Sequence, residues 1–231
     1  MSTPLAAILG AGPGIGLAAA RRFAREGFRV AAVCRPSDSL DRFQAELDLA
    51  APPGGALVLA ADLALEGAAR EACAAVERWG GLPEVLVYNA SAGAPGPAAD
   101  LDPARLQADL RVNVLAPLAA VRWALPGMRR AGRGTLLFTG GGLALEPKPG
   151  LAAASLGKAA LRSLALSLGR ELAPEGIHAA TVTVRGFVQP DGPLDPDVIA
   201  QVFWQLHLQS PAAWRDEVTL PDHPLGGIQV E

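Results

Sequence analysis

Only one of the 231 residues is a tyrosine, Tyr88, and aromatic residues make up 5% of the chain. Any chemistry that needs an acidic phenol therefore has one place to find it. Cysteine is nearly as scarce: Cys34 and Cys73 are the only two, and isolated cysteines act more often as small buried hydrophobes than as a disulfide framework. His178, His207 and His223 share no ligand-like spacing, which argues against a metal centre. Basic clusters and acidic tails are missing and the formal net charge is -3, so nucleic acid and anionic membrane surfaces are not expected partners. No apolar run approaches the ~20 residues that span a bilayer, and Met1-Ser2-Thr3-Pro4-Leu5 lacks the basic and apolar regions of a signal peptide. A cytoplasmic location and a small-molecule substrate are expected.

Half of the residues are hydrophobic, enough for one full-sized core, so a single domain over residues 1–231 is expected. Short apolar runs alternate with segments of helical period, which is the pattern of βαβ units and a parallel sheet. Strands are predicted at Leu5–Leu9, Arg29–Cys34, Ala56–Ala60, Glu84–Tyr88, Thr135–Thr139, His178–Val184 and Glu217–Leu220. Helices are predicted at Gly14–Arg25, Leu40–Leu49, Gly67–Arg78, Ala104–Arg130, Ala152–Leu172 and Asp197–His207. Gly27 and Gly176 suit left-handed helix ends, and Asp195-Pro196 suits a capped helix start. Pro117 removes a backbone donor and should kink the fourth helix near Asn113. The fold class is α/β, a doubly wound Rossmann-like three-layer sandwich around a mostly parallel sheet of about seven strands.

The first strand ends in Leu9-Gly10-Ala11-Gly12-Pro13-Gly14-Ile15-Gly16 and runs straight into an amphipathic helix. Glycines let the backbone turn sharply and approach a pyrophosphate, and the helix N-terminus offers N–H groups at the positive end of its dipole. The spacing is Gly-x-x-x-Gly-x-Gly. With Asp62-Leu63 after the third strand, Tyr88-Asn89-Ala90-Ser91 after the fourth, Asn113 inside the fourth helix and Lys158 in the fifth, the chain resembles the short-chain dehydrogenase/reductase family from Pro4 to about Val188. The resemblance implies that Gly10, Gly14, Ile15 and Gly16 form a cofactor loop. It also implies that Asp62 and Leu63 hold the adenine, that Asn89 and Ala90 flank the cofactor, and that Lys158 binds the nicotinamide ribose. A homodimer or homotetramer, formed through the Ala104–Arg130 and Ala152–Leu172 helices, is implied as well.

Cofactor preference is read from Val33-Cys34-Arg35. An acidic residue there would bond a ribose 2′-hydroxyl and repel a 2′-phosphate, whereas a neutral residue followed by Arg35 allows a bidentate phosphate contact. NADP(H) is expected to be preferred over NAD(H).

The family's catalytic groups are the departure. Counting back from Lys158, the tyrosine position is Ala154 and the serine position is Gly141. Tyr88 sits beside Asn89, near the expected cofactor ribose. Ser155 points away from the site by its helical offset. Ser91 and Thr139 lie at C-terminal strand ends, Glu146 supplies a carboxyl in the loop before the fifth helix, and Lys158 is an acid if buried. Catalytic roles are therefore expected for Lys158, Asn113 and Glu146. Arg185 stands where the family has proline and is placed either to reach a phosphate or acidic substrate or to brace its loop. Trp204 and His207 fall off the apolar stripe of the last helix and are candidates to overlook the crevice. Three readings stay open on these residues: an atypical oxidoreductase of a carbonyl or alcohol, a catalytically silent NADP(H)-binding regulator, and a non-redox lyase or cyclase.

Overall fold

The computed structural model describes residues 3–37 and 39–221; His223 lies outside them. Among the described residues seven strands form one sheet: β1 (Leu5–Leu9), β2 (Arg29–Cys34), β3 (Ala56–Ala60), β4 (Val85–Tyr88), β5 (Gly134–Gly141), β6 (Ile177–Val184) and β7 (Glu217–Leu220). Their spatial order is β3-β2-β1-β4-β5-β6-β7, and every pairing is parallel. Parallel neighbours need crossovers, and seven helices supply them: α1 (Ile15–Arg25), α2 (Leu40–Ala50), α3 (Ala68–Gly80), α4 (Pro103–Leu110), α5 (Ala116–Ala131), α6 (Ala152–Leu172) and α7 (Pro196–His207).

Side chains alternate across the strands, so each strand feeds two cores. Ala6 and Ile8 of β1 join Phe23, Phe43, Phe203 and Leu206 from α1, α2 and α7. Leu5, Ala7 and Leu9 join Val76, Val121, Leu161 and Leu172 from α3, α5 and α6. The chain winds outward from β1 to β3, and α3 then returns it to the other side of β1. Ligands of such sheets bind at the carboxyl ends of the strands where the winding reverses, here between β1 and β4.

The expected fourth helix is broken. Pro117 cannot donate to the carbonyl one turn earlier, and Arg111–Leu115 relaxes into a π turn between α4 and α5. Gly27 and Gly176 take left-handed conformations (φ 86° and 77°), and the Asp195 carboxylate caps α7 by accepting from the Asp197 N–H at 2.7 Å. Strand β5 runs two residues past the expected end, because Gly140 and Gly141 pair with Thr183 and Val184 of β6.

Candidate active site

Two glycines make the turn after β1 possible. Gly10 has φ 96°, and a Cβ there would lie 2.3 Å from the Ala90 N; a Cβ on Gly16 would lie 2.2 Å from the Gly10 carbonyl oxygen. Around Gly12 and Gly14, by contrast, an added Cβ meets nothing within 4 Å. Helix α1 starts just there with no side-chain cap and no acidic residue in its first turn. An open glycine cradle at an uncapped helix N-terminus fits a pyrophosphate. Ile15 opens that helix.

Asn89 ties this loop to the sheet. Its Nδ2 donates to the Gly10 carbonyl at 2.7 Å, and its Oδ1 accepts from the Thr139 hydroxyl at 2.7 Å. Lys158 Nζ in turn donates to the Thr139 carbonyl at 2.8 Å. The residues just past β1 and β4, with residues of β5 and α6, are thus joined in one run of hydrogen bonds across the switch point. The Ala90 N–H is held by the Leu9 carbonyl at 3.1 Å. On the adenine side, Leu63 is buried, Asp62 Oδ1 accepts from the Ala64 N–H at 3.0 Å, and Arg35 stands exposed just past β2.

Asn113 occupies the π turn, only 1% exposed, and clamps one residue from both sides: Oδ1 accepts from the Ala92 N–H at 3.1 Å while Nδ2 donates to the Ala92 carbonyl at 2.7 Å. This clamp explains a residue that sequence reading passed over. Gly157 lies inside α6, where glycine is unfavourable, but a Cβ at that position would come within 2.2 Å of Asn113 Nδ2. An unexplained glycine in a helix interior was the available signal. Gly93, in the loop after β4, is close-packed as well, since a Cβ there would lie 2.6 Å from Ala154 Cα and Cβ.

Among the described residues of the crevice, Lys158 is strongly perturbed. Desolvation by burial lowers its ammonium from 10.5 to about 8. Gly141 is next to it: a Cβ on Gly141 would lie 3.4 Å from Lys158 Cε, an ordinary contact, with the backbone extended at φ -163°. Of the two positions that lack a hydroxyl, Gly141 borders Lys158, and Ala154 lies one helical turn before it on α6.

The remaining candidates are placed as follows. Tyr88 turns into the core rather than toward the ribose side; its hydroxyl donates to the Val112 carbonyl, and burial pushes the phenol well above its ordinary value. The cause is parity, because Tyr88 continues the strand face that packs on α3 and α5. Ser155 donates to the Leu151 carbonyl at 2.8 Å, inside its own helix, and Ser91 is exposed at the crevice mouth. Glu146 is exposed beyond a short turn at Gly142–Ala144. Arg185 is exposed beside Gly142. Trp204 and His207 do not overlook the crevice. They pack edge-on against Phe23 and Phe28, and His207 Nδ1 pairs with Thr135 Oγ1 at 2.9 Å, at the opposite end of β5. Among the described residues no group of His, Cys, Asp and Glu is arranged to hold a metal ion, and no helix is long and apolar enough to cross a membrane.

A family model described as short chain dehydrogenase matches residues 4–191. An Escherichia coli K12 protein named cyclic-di-GMP-binding biofilm dispersal mediator is 34% identical over 191 residues, covering 82% of this chain and 73% of that one. Human 17-beta-hydroxysteroid dehydrogenase type 1 is 35% identical over 189 residues, covering 79% of this chain but only 56% of the human enzyme. A crystal structure of a metagenomic short-chain oxidoreductase in complex with NADP superposes with a TM-score of 0.82 at 31% identity, covering 95% of this chain and 97% of that one.

Proposed function

The chain belongs to the short-chain dehydrogenase family, and on that premise we propose that it is an NADP(H)-dependent oxidoreductase of a small carbonyl or alcohol, in which Lys158 replaces the missing phenol as proton donor. The observation that carries this reading is the desolvated Lys158, at about 8, packed beside Gly141 and one helical turn past Ala154. A group of that pKa is mostly ammonium at neutral pH and yields its proton far more readily than an ordinary lysine. The nicotinamide, when bound, supplies or accepts hydride. The Gly10–Gly16 loop and the α1 N-terminus would hold its pyrophosphate, Asp62 and Leu63 its adenine, and Asn89 and Ala90 the wall beside it. Asn113 keeps that wall in place through Ala92. In reduction Lys158 Nζ would give its proton to the oxygen of the carbonyl as that carbon is reduced to the alcohol, and the resulting amine would be reprotonated from solvent. Glu146 is the remaining acidic candidate, and its exposure calls for loop closure before it can reach the crevice.

A second reading rests on one observation, that neither Ala154 nor Gly141 carries a hydroxyl while the cofactor-loop residues are retained. It is a nucleotide-binding protein without turnover, and the regulator's name of the E. coli relative supports the class. Wild-type oxidation of NADPH with any member of a panel of aldehydes and ketones removes it. Complete silence across the panel, with NADPH binding intact, would count against oxidoreduction and leave this reading beside a non-redox lyase or cyclase.

Preference for NADP(H) rests on Cys34 and on exposed Arg35 at the end of β2. A charge-assisted contact is worth ~1.5–3 kcal/mol, or roughly ten- to a hundredfold in affinity. Arg35→Ala should weaken NADPH binding by that factor in calorimetric titration and leave NADH unchanged; an equal effect on both cofactors would remove the argument. A homodimer or homotetramer is part of the same reading, supported by Leu115 at the end of the π turn, Leu118 on α5 and Leu156 on α6, which are 57%, 37% and 49% exposed.

A further inference from the structure

Residues 92–96 form a strap beside the mouth of the crevice, and alternate backbone amides of the strap are taken up by its surroundings. The Ala92 N–H donates to Asn113 Oδ1 at 3.1 Å, the Ala94 N–H to Asp109 Oδ2 at 3.2 Å, and the Gly96 N–H to the Gly150 carbonyl at 2.8 Å. Alternate amides of an extended chain point the same way and repeat about every 6.6 Å. Four residues of helix advance about 6 Å, so Asp109 and Asn113 present two acceptors at nearly the spacing of a neighbouring strand. Both are buried, at 6% and 1% exposure. A buried carboxylate is costly unless it is hydrogen-bonded, and the strap provides that bond. On its other side the strap touches α6: Gly93 packs on Ala154, and Gly96 bridges to Leu151.

We propose that Asp109 is a positioning residue whose carboxylate holds the strap down on α6, so that Gly93 covers position 154 and limits how far a substrate can reach along that side of the crevice. That role toward a substrate rests on the proposed function of the crevice; the clamp itself does not.

The test uses the full chain carrying Ala154→Cys, labelled with a maleimide in the absence of cofactor; Cys34 and Cys73 are buried and give a slow background. Adding Asp109→Ala is expected to raise labelling of the introduced thiol, and amide exchange at Ala94 and Gly96, by about tenfold or more. Asp109→Asn keeps an oxygen acceptor and should return both to within about threefold of the parent. In an Ala94→Pro background, which lacks the donor, Asp109→Ala should add nothing. Unchanged labelling and exchange in Asp109→Ala would overturn the proposal. So would exchange that rises equally in β1 and β6, which marks general destabilisation, or an additive effect on top of Ala94→Pro. If labelling and exchange respond as expected while kcat and KM for every reduced carbonyl stay at parent values, the clamp stands and the crevice is not the substrate site.

Discussion

Lys158→Met is expected to reduce carbonyl turnover by about 10²–10⁴-fold, the usual contribution of a positioned general acid. Lys158→Arg should lose nearly as much, because a guanidinium keeps the charge for a ribose contact but does not give up its proton in this range. NADPH affinity separates binding from chemistry, and Arg should preserve it better than Met. The sign of the pH dependence follows from the direction of the shift. Desolvation lowers Lys158 to about 8, so the acid form is nearly complete at pH 7 and is depleted above pH 8. Wild-type reduction should therefore fall about tenfold per pH unit on the alkaline side of that value, and the reverse oxidation should gain over the same interval. A wild-type profile flat from pH 7 to 10, or a Lys158→Met variant with undiminished kcat, would exclude Lys158 as the donor. If Glu146→Gln then removed activity with NADPH affinity unchanged, the exposed loop carboxyl would take the role.

How far such a site is legible in sequence depends on whether its contacts are local. Strands β1, β2 and β3 are readable because buried parallel strands are nearly continuous apolar runs, whereas β7, Glu217-Val218-Thr219-Leu220, alternates as an edge strand does. The cofactor loop was readable for the same reason, since a strand, a glycine turn and a helix start follow one another along the chain. Tyr88 and His207 were placed wrongly because each position depends on which face of its element meets a distant partner. Nothing within a few residues of His207 announces that Phe23, Phe28 and Thr135 surround it. Asp109 carried a visible spacing of four from Asn113. Its partner, the amide of Ala94, is a loop backbone group with no side-chain signature, and the pairing appears only once α4 and the strap are brought together. The lysine's lowered pKa was equally hidden, being a property of burial rather than of residue type.

Gly16→Ala should be among the most damaging single-methyl additions in the nucleotide loop, and Gly12→Ala among the least. At position 16 the new methyl would sit 2.2 Å from the Gly10 carbonyl oxygen, 2.8 Å from Ala11 Cα and 2.9 Å from Asn89 Nδ2. Two of those three are backbone atoms, and the third belongs to a side chain already committed to Gly10 and to Thr139. None can retreat without dragging β1 or β4 with it. Overpacking of this kind costs about 3 kcal/mol or more, which for a domain of this size lowers Tm by roughly 6–12 °C. Nucleotide binding should be lost with it, since relief requires the loop to leave the helix end that would receive the pyrophosphate. At position 12 an added Cβ meets nothing within 4 Å, so the fold should change by about 0.5 kcal/mol or less. Thermal unfolding and NADPH titration of the two variants side by side decide the matter. A Gly16→Ala protein that melts with the wild type and binds NADPH normally would show that the Gly10–Asn89 contact is slack, and with it the run of hydrogen bonds from the loop through Thr139 to Lys158.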